Sequence, residues 1–251
     1  MRPLGRGSEP SPCVVWLCGG AWLTVDRNLH LPNFTEYVNS GMVIASVEYR
    51  TANESLFPSQ VEDIKSAIRF LKARAEFFGI DPNRIGIMGE SAGGHLAALV
   101  GTSNGVSKFE RGENLEYGSE VKSVCAWYPP VDLQLTGSDV DGKDPFHGNP
   151  PQNLLLGINL QLHPEQAEDA NPKSYLRRDC PPFLLLHGDL DKVVPVSHSI
   201  GLYEAIEQNG TPVELHILRG AGHGSSEFFQ AKVQGIIINF FLKTFGMKSE
   251  I

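Results

Sequence analysis

The feature that most constrains the fold of this chain is a five-residue string, Gly89-Glu90-Ser91-Ala92-Gly93, set between two apolar runs of different kind. The run before it, 85–88, is short and β-prone, whereas 92–100 is small, apolar and longer than a strand needs. A serine at such a junction sits on a sharp strand-to-helix turn, where its hydroxyl stands clear of the sheet and only small neighbours avoid collision. A strand that hands over to a helix belongs to a parallel, helix-covered sheet rather than to a meander of hairpins. A glycine-rich turn can carry the same letters without any chemistry, so the reading rests on the flanking runs.

The rest of the chain keeps the alternation. Residues 13–17, 42–47, 121–126 and 183–186 are, like 85–88, short and almost continuously apolar, the pattern of strands buried on both faces. In 213–218, Val213, Leu215 and Ile217 alternate with Glu214 and His216, which predicts a half-exposed strand nearer an edge. Val61, Ile64, Ile68, Leu71 and Ala75 recur at helical steps up to a stop near Gly79, and 196–208 closes on Asn209-Gly210, a C-cap signal. Ser225 or Ser226 can cap a last helix carrying Phe229, Val233, Ile236, Phe240 and Phe241. Two polar stretches rich in Gly, Pro and Asp, 103–120 and 134–171, are expected as excursions above the sheet, the second long enough to form a partial cap. The expected architecture is α/β, a mostly parallel sheet of about six strands flanked by helices. The whole of 1–251 is expected as a single domain.

Composition narrows the partners. The chain carries 21 Lys and Arg against 29 Asp and Glu, a net charge of −8, which disfavours a nucleic-acid backbone or an anionic membrane surface. No apolar run approaches the ~20 residues of a membrane-spanning helix; the longest dense stretch is 235–242. Cys13, Cys18, Cys125 and Cys180 stand alone, without CxxC or zinc-type spacing, which points to a reducing, cytoplasmic compartment. The first twelve residues lack the apolar region of a signal peptide, so a secreted origin would require a leader that the sequence does not contain.

A serine hydroxyl needs a base and an oriented acid to become a nucleophile. The base candidate is His223 in Gly220-Ala221-Gly222-His223-Gly224, between the last strand and the last helix, where flanking glycines let the loop approach a serine. His30, His95, His147, His163, His187, His198 and His216 compete, but none joins a glycine-rich loop to the order Ser…Asp…His. For the acid, the segment His187-Gly188-Asp189-Leu190-Asp191 offers two carboxylates. Asp191 is preferred because it lies further into the loop; Asp189 is left to bond loop amides or face water, and Asp132 is an outside candidate. A carboxylate there would fix the imidazole tautomer and stabilise the imidazolium. After the first strand, Gly19-Gly20-Ala21-Trp22 is small enough to turn backbone N–H groups toward a developing oxyanion, with Gly20, Ala21 and, from the elbow, Ala92 as donors. Trp22 reads equally as a wall of a substrate pocket or as a packed aromatic.

At these residues the sequence resembles the α/β-hydrolase superfamily, most closely the esterase/lipase branch with hormone-sensitive-lipase-like and Bacteroidetes-type feruloyl and acetyl xylan esterases. The matching segments are CGGAW at 18–22, SVEYR at 46–50, the stretch from 57 to 99, PPFLLLHGDLDKVVP at 181–195 and GAGHG at 220–224. The resemblance implies a triad of Ser91, Asp191 and His223, a covalent acyl-enzyme, and neither cofactor nor metal. It departs in two places. Family members usually carry His where this chain has Cys18, which puts the order of the oxyanion loop in question and brings a thiol near the site. The fold also usually begins with a β-hairpin, for which the residues before Cys13 leave little room; 42–47 would then lie at an unprotected sheet edge that invites pairing with a second copy.

The expected activity is hydrolysis of short acyl, acetyl-type esters, including those of plant polysaccharide fragments, with a small ester or acylated carbohydrate as substrate. Because HGDLDKVVP also looks like the prolyl oligopeptidase group, a peptidase or amidase is the alternative enzyme. A binding protein on an impaired hydrolase fold is the alternative of another class.

Overall fold

The computed structural model describes residues 1–3, 9–134 and 149–247, so His147 and part of the 134–171 excursion lie outside the described residues. Six strands form one sheet: β1 (Ser11–Leu17), β2 (Val43–Ser46), β3 (Ile80–Glu90), β4 (Val124–Trp127), β5 (Phe183–Gly188) and β6 (Val213–Leu218). They lie in the order β2-β1-β3-β4-β5-β6, and every neighbouring pair is parallel. The helices are α1 (Thr35–Asn39), α2 (Ser59–Ala73), α3 (Ala75–Phe78), α4 (Ser91–Thr102), α5 (Pro151–Leu156), α6 (Ser197–Gln208) and α7 (Ala231–Thr244).

The continuous apolar runs are explained by burial on both faces. Along β1, Cys13, Val15 and Leu17 join one core with residues of α2, α4 and α6, while Val14 and Trp16 join another with residues of α1 and α7. Successive side chains of a strand point to opposite faces, so a strand with helices on both sides needs apolar residues at every position. The β6 edge is half-exposed as expected, but without the expected alternation: Glu214 and Ile217 are exposed, Ile217 to 40%, while His216 is partly buried.

The structure corrects several expectations. The last helix begins at Ala231, not at a serine cap: Ser226–Phe229 is a separate 3-10 turn, Ser225 makes no side-chain cap, and extended backbone at Gln230 divides turn from helix. Phe229 therefore lies outside the helix. The β2 edge is partly paired, because Ile44 N–H donates to the Met1 carbonyl at 2.9 Å and its carbonyl accepts from the Met1 ammonium at 2.7 Å.

Residues 103–120 do not rise above the reactive edge. A helix that follows β3 runs back along the sheet, so α4 delivers its C-terminus to the opposite edge. There the buried Lys65 ammonium donates to Ser103 O, Glu110 and Ser119, and Lys72 donates to Glu120 O, tying the segment to the distal part of α2. The described part of the second excursion does lie on the site's side: Leu155 O accepts from Phe57 N–H near the start of α2.

Candidate active site

In this strand order the chain steps from β1 outward to β2, then returns to continue on the other side with β3. The loops leaving β1 and β3 therefore part company at their carboxyl ends, and such a divergence opens the crevice where open α/β sheets bind ligands. Ser91 follows β3 directly, and Gly19-Gly20-Ala21 follows β1. The tip of the sequence motif thus stands at the point where the strand order reverses.

Ser91 has φ +52°, a left-handed conformation that lifts its side chain off the sheet. The motif glycines have steric reasons. A Cβ on Gly89 would lie 2.3 Å from Gly93 O, and one on Gly93 would lie 2.3 Å from Leu17 O. The elbow is thus pressed against both its own helix and β1. Ala92 occupies the first turn of α4, where N–H groups have no intrahelical acceptor.

Ser91 Oγ donates to His223 Nε2 at 2.9 Å, and His223 Nδ1 donates to Asp191 Oδ2 at 2.7 Å. The carboxylate can only accept, so the proton sits on Nδ1 and leaves the Nε2 lone pair facing the serine. The Asp191 side chain is fully buried and its Oδ1 accepts from the N–H groups of Val193 and Val194. Burial alone would raise its pKa. Hydrogen bonds from His187 and His223 and the imidazole charge outweigh that and hold it well below the ordinary 3.8. Asp189 has the other role expected of it, accepting Gly220 N–H at 2.6 Å and so joining the acid loop to the base loop. Asp132 instead accepts Gln134 N–H.

The β1 loop turns through three left-handed residues, Gly20 (φ +133°), Ala21 (φ +53°) and Trp22 (φ +60°). Gly20 is required as glycine, since a Cβ would meet Thr24 O at 2.1 Å. Leu23 and Thr24 N–H both return to Gly20 O, closing the turn. Trp22 is 4% exposed, and its indole N–H donates to His95 Nδ1 at 3.2 Å. The indole is packed edge-on against the His95 ring.

Cys18, where an imidazole was expected by resemblance, is 1% exposed. Its Sγ accepts Asp26 N–H at 3.3 Å, and Tyr49 OH donates to its carbonyl at 3.0 Å. Burial pushes the thiol pKa up, so Cys18 is a small buried strut of the loop and no nucleophile.

Residues to which the sequence reading gave no supporting role hold these groups in place. Glu90, 5% exposed, accepts Gly19 N–H at 3.4 Å, His30 Nε2–H at 3.2 Å and the Tyr128 hydroxyl. Burial would raise its pKa, but the donors His30 and Tyr128 hold it below the usual range. His187 accepts Ser199 OH at Nδ1 and donates from Nε2 to Val194 O, 3.5 Å from Asp191 Oδ2. Each lies one to four residues from a motif residue in sequence, but the Glu90 partners Tyr128 and Gly19 lie 38 and 71 positions away, a pairing that nothing in one sequence shows. His163 and His216 lie beside Glu165 and Glu214, away from the triad. Among the described residues no helix is long and apolar enough to cross a membrane, and no cluster of three or more His, Cys, Asp or Glu could hold a metal ion.

Comparison with known proteins agrees with this fold. Esterase LipC of Mycobacterium tuberculosis is 30% identical over 224 residues, covering 86% of this chain and 54% of its own. An AB hydrolase superfamily protein of Schizosaccharomyces pombe is 35% identical, over 95% of this chain and 70% of its own. This chain spans about half the length of the first curated relatives it matches. Among solved structures, a truncated carbohydrate esterase from gut microbiota superposes with a TM-score of 0.88 at 27% identity, over 98% of this chain and 89% of that one. An acetyl ester-xyloside bifunctional hydrolase from Caldicellulosiruptor lactoaceticus gives 0.80 at 26% identity, over 97% and 86%. The BD-FAE family model matches residues 3–206, and the chain belongs to the BD-FAE family of α/β-hydrolase esterases.

Proposed function

We propose that the chain is a serine carboxylesterase acting on short acyl esters, acetyl esters of carbohydrate fragments first among them. The observation that carries the reading is the aligned series Ser91 Oγ–His223 Nε2, His223 Nδ1–Asp191 Oδ2, at 2.9 and 2.7 Å.

In the proposed reaction Ser91 Oγ attacks the ester carbonyl carbon while its proton passes to His223 Nε2. Asp191, held ionised, stabilises the imidazolium and keeps its orientation. The N–H groups of Gly20, Ala21 and Ala92 receive the oxyanion, each such donor contributing ~3–4 kcal/mol to the transition state. Collapse breaks the bond to the alcohol oxygen, which takes the proton from His223. Water, deprotonated by the same imidazole, then attacks the acyl-enzyme, and the free acid leaves as Ser91 recovers its proton. The names of the carbohydrate-directed structural relatives support the choice of substrate class.

Turnover of p-nitrophenyl acetate and of longer-chain esters, acetylated xylo-oligosaccharides, feruloyl esters and an aminoacyl-proline amide tests this directly. The acetyl esters are expected to turn over fastest. Preference for the amide would replace the proposal with a peptidase-like one.

A further inference from the structure

The loop that presents Gly20 and Ala21 is held in a costly shape. Ala21 and Trp22 are non-glycine residues at φ +53° and +60°, strained conformations that persist only where surroundings over-determine them. On its outer side the turn is fixed by backbone: Ala52 N–H donates to Trp22 O at 2.8 Å. On the side facing the nucleophile helix the fixing contact is a side chain, the Trp22 indole N–H to His95 Nδ1 at 3.2 Å.

His95 sits one helical turn after Ser91 on α4 and is fully buried. Its other nitrogen, Nε2, lies 2.6 Å from Ala170 O. An indole N–H only donates and a carbonyl only accepts, so the tautomer is determined: Nδ1 is bare and Nε2 carries the proton. Burial keeps His95 neutral, and His198, whose Nδ1 accepts Asp132 N–H, also disfavours charge on it.

We propose that His95 is a positioning residue: by accepting the Trp22 indole N–H it sets the separation between the oxyanion loop and the helix that carries Ser91 and Ala92. This rests on the esterase reading of the site. Two of the three oxyanion donors ride on the β1 loop and the third on α4, so their convergence depends on that separation. A misplacement of about 1 Å can cost ~10²-fold in rate.

The test separates the two ends of the imidazole. In His95→Asn the amide reaches the position of Nδ1 and can still accept from Trp22, leaving Ala170 O unpaired. In His95→Gln it reaches the position of Nε2 and leaves the indole N–H unpaired. Both lose one buried hydrogen bond, so both are expected to lose similar stability by urea unfolding. They are expected to differ in catalysis with p-nitrophenyl acetate. His95→Asn should keep kcat within about threefold of the parent, and His95→Gln and Trp22→Phe should each lose ~10-fold or more with KM little changed. The rate of Ser91 labelling by a fluorophosphonate should follow the same order.

Equal kcat in the Asn and Gln variants overturns the inference, as does a Trp22→Phe variant whose KM rises at unchanged kcat, which would make Trp22 a pocket wall. If a His95 variant fails to fold, Trp22→Phe decides by the same split. A parent chain inert toward both esters and probe overturns the esterase reading itself; a reactive parent with unaltered variants overturns only the role of His95.

Discussion

The hydroxyl of Tyr128 donates to the buried carboxylate of Glu90, while the ring of the same tyrosine lies 4.6 Å from the imidazole of His223. One side chain thus connects the residue before the nucleophile to the ring that serves as base. Tyr128 adopts φ +37°, as unusual for its type as the geometry of Ser91. Glu90 in turn holds Gly19 N–H at the root of the oxyanion loop.

Replacement of Glu90 should therefore disturb catalysis without touching the substrate. Glu90→Gln puts an amide N–H₂ in place of one accepting oxygen, so at least one of the three donated protons, that of Tyr128 first, loses its acceptor. The expected result is a fall in kcat of ~10-fold with stability lower by ~1–3 kcal/mol, the cost of a broken buried hydrogen bond. Steady-state kinetics and urea unfolding check both. Parental kcat in Glu90→Gln would show that the hub is structural only.

Asp191→Asn keeps the shape of the acid and removes its charge. An amide can present N–H to Nδ1 and so favours the wrong imidazole tautomer. The predicted loss in kcat is ~10⁴-fold, with the fold intact by circular dichroism. Asp189→Asn, in which the amide oxygen can still accept Gly220 N–H, should lose less than tenfold by comparison. Reversal of that order would move the acid to Asp189.

Acid stability should fall in two stages. Burial, opposed by the Ala170 carbonyl, lowers the His95 pKa from 6.5 to about 4. The unfolded chain then binds a proton that the folded chain refuses between those values, so stability drops as pH falls from about 6.5 to 4, by on the order of 3 kcal/mol. Asp191 and Glu90 have pKa values lowered from 3.8 and 4.5, so the stability they contribute is present above those values and is lost as pH falls further. Tm measured from pH 7.5 to 3 should show the first limb in the parent and lose it in His95→Asn. A parent Tm that stays flat between pH 6.5 and 4.5 would contradict the buried neutral imidazole.

How much of this was written in the sequence depends on range. Ser91, Asp191 and His223 were legible because chain order and strand–loop context restrict which residues reach the carboxyl edge of a parallel sheet. A mostly parallel sheet was legible because 13–17, 85–88 and 183–186, the apolar parts of β1, β3 and β5, are buried on both faces. The supporting contacts were not. Glu90 with Tyr128, and Trp22 with His95, join residues 38 and 73 positions apart, and no local pattern reports such a pairing. The excursion 103–120 was misjudged because polarity identifies a loop but not its edge, which here is set by the backward run of α4. Two of its anchors, Lys65 and Arg69 (which donates to Glu113 O at 3.0 Å), are fully buried cations on α2, where helical periodicity alone would place ordinary core or surface residues.

The four cysteines are free and buried. Iodoacetamide at neutral pH should leave all of them unmodified in the folded chain and alkylate all of them in guanidinium, read by intact mass. Rapid modification of Cys18 with loss of ester turnover would return the thiol to the reacting groups.

The central claim is that Ser91 is a nucleophile activated by His223 and Asp191. Incubation of the folded chain with a fluorophosphonate, followed by peptide mass spectrometry, tests it most directly. The account predicts one adduct per chain on Ser91, absent in Ser91→Ala and formed at least a hundredfold more slowly in His223→Ala. A folded parent chain that acquires no adduct, or acquires it at another residue, would contradict it.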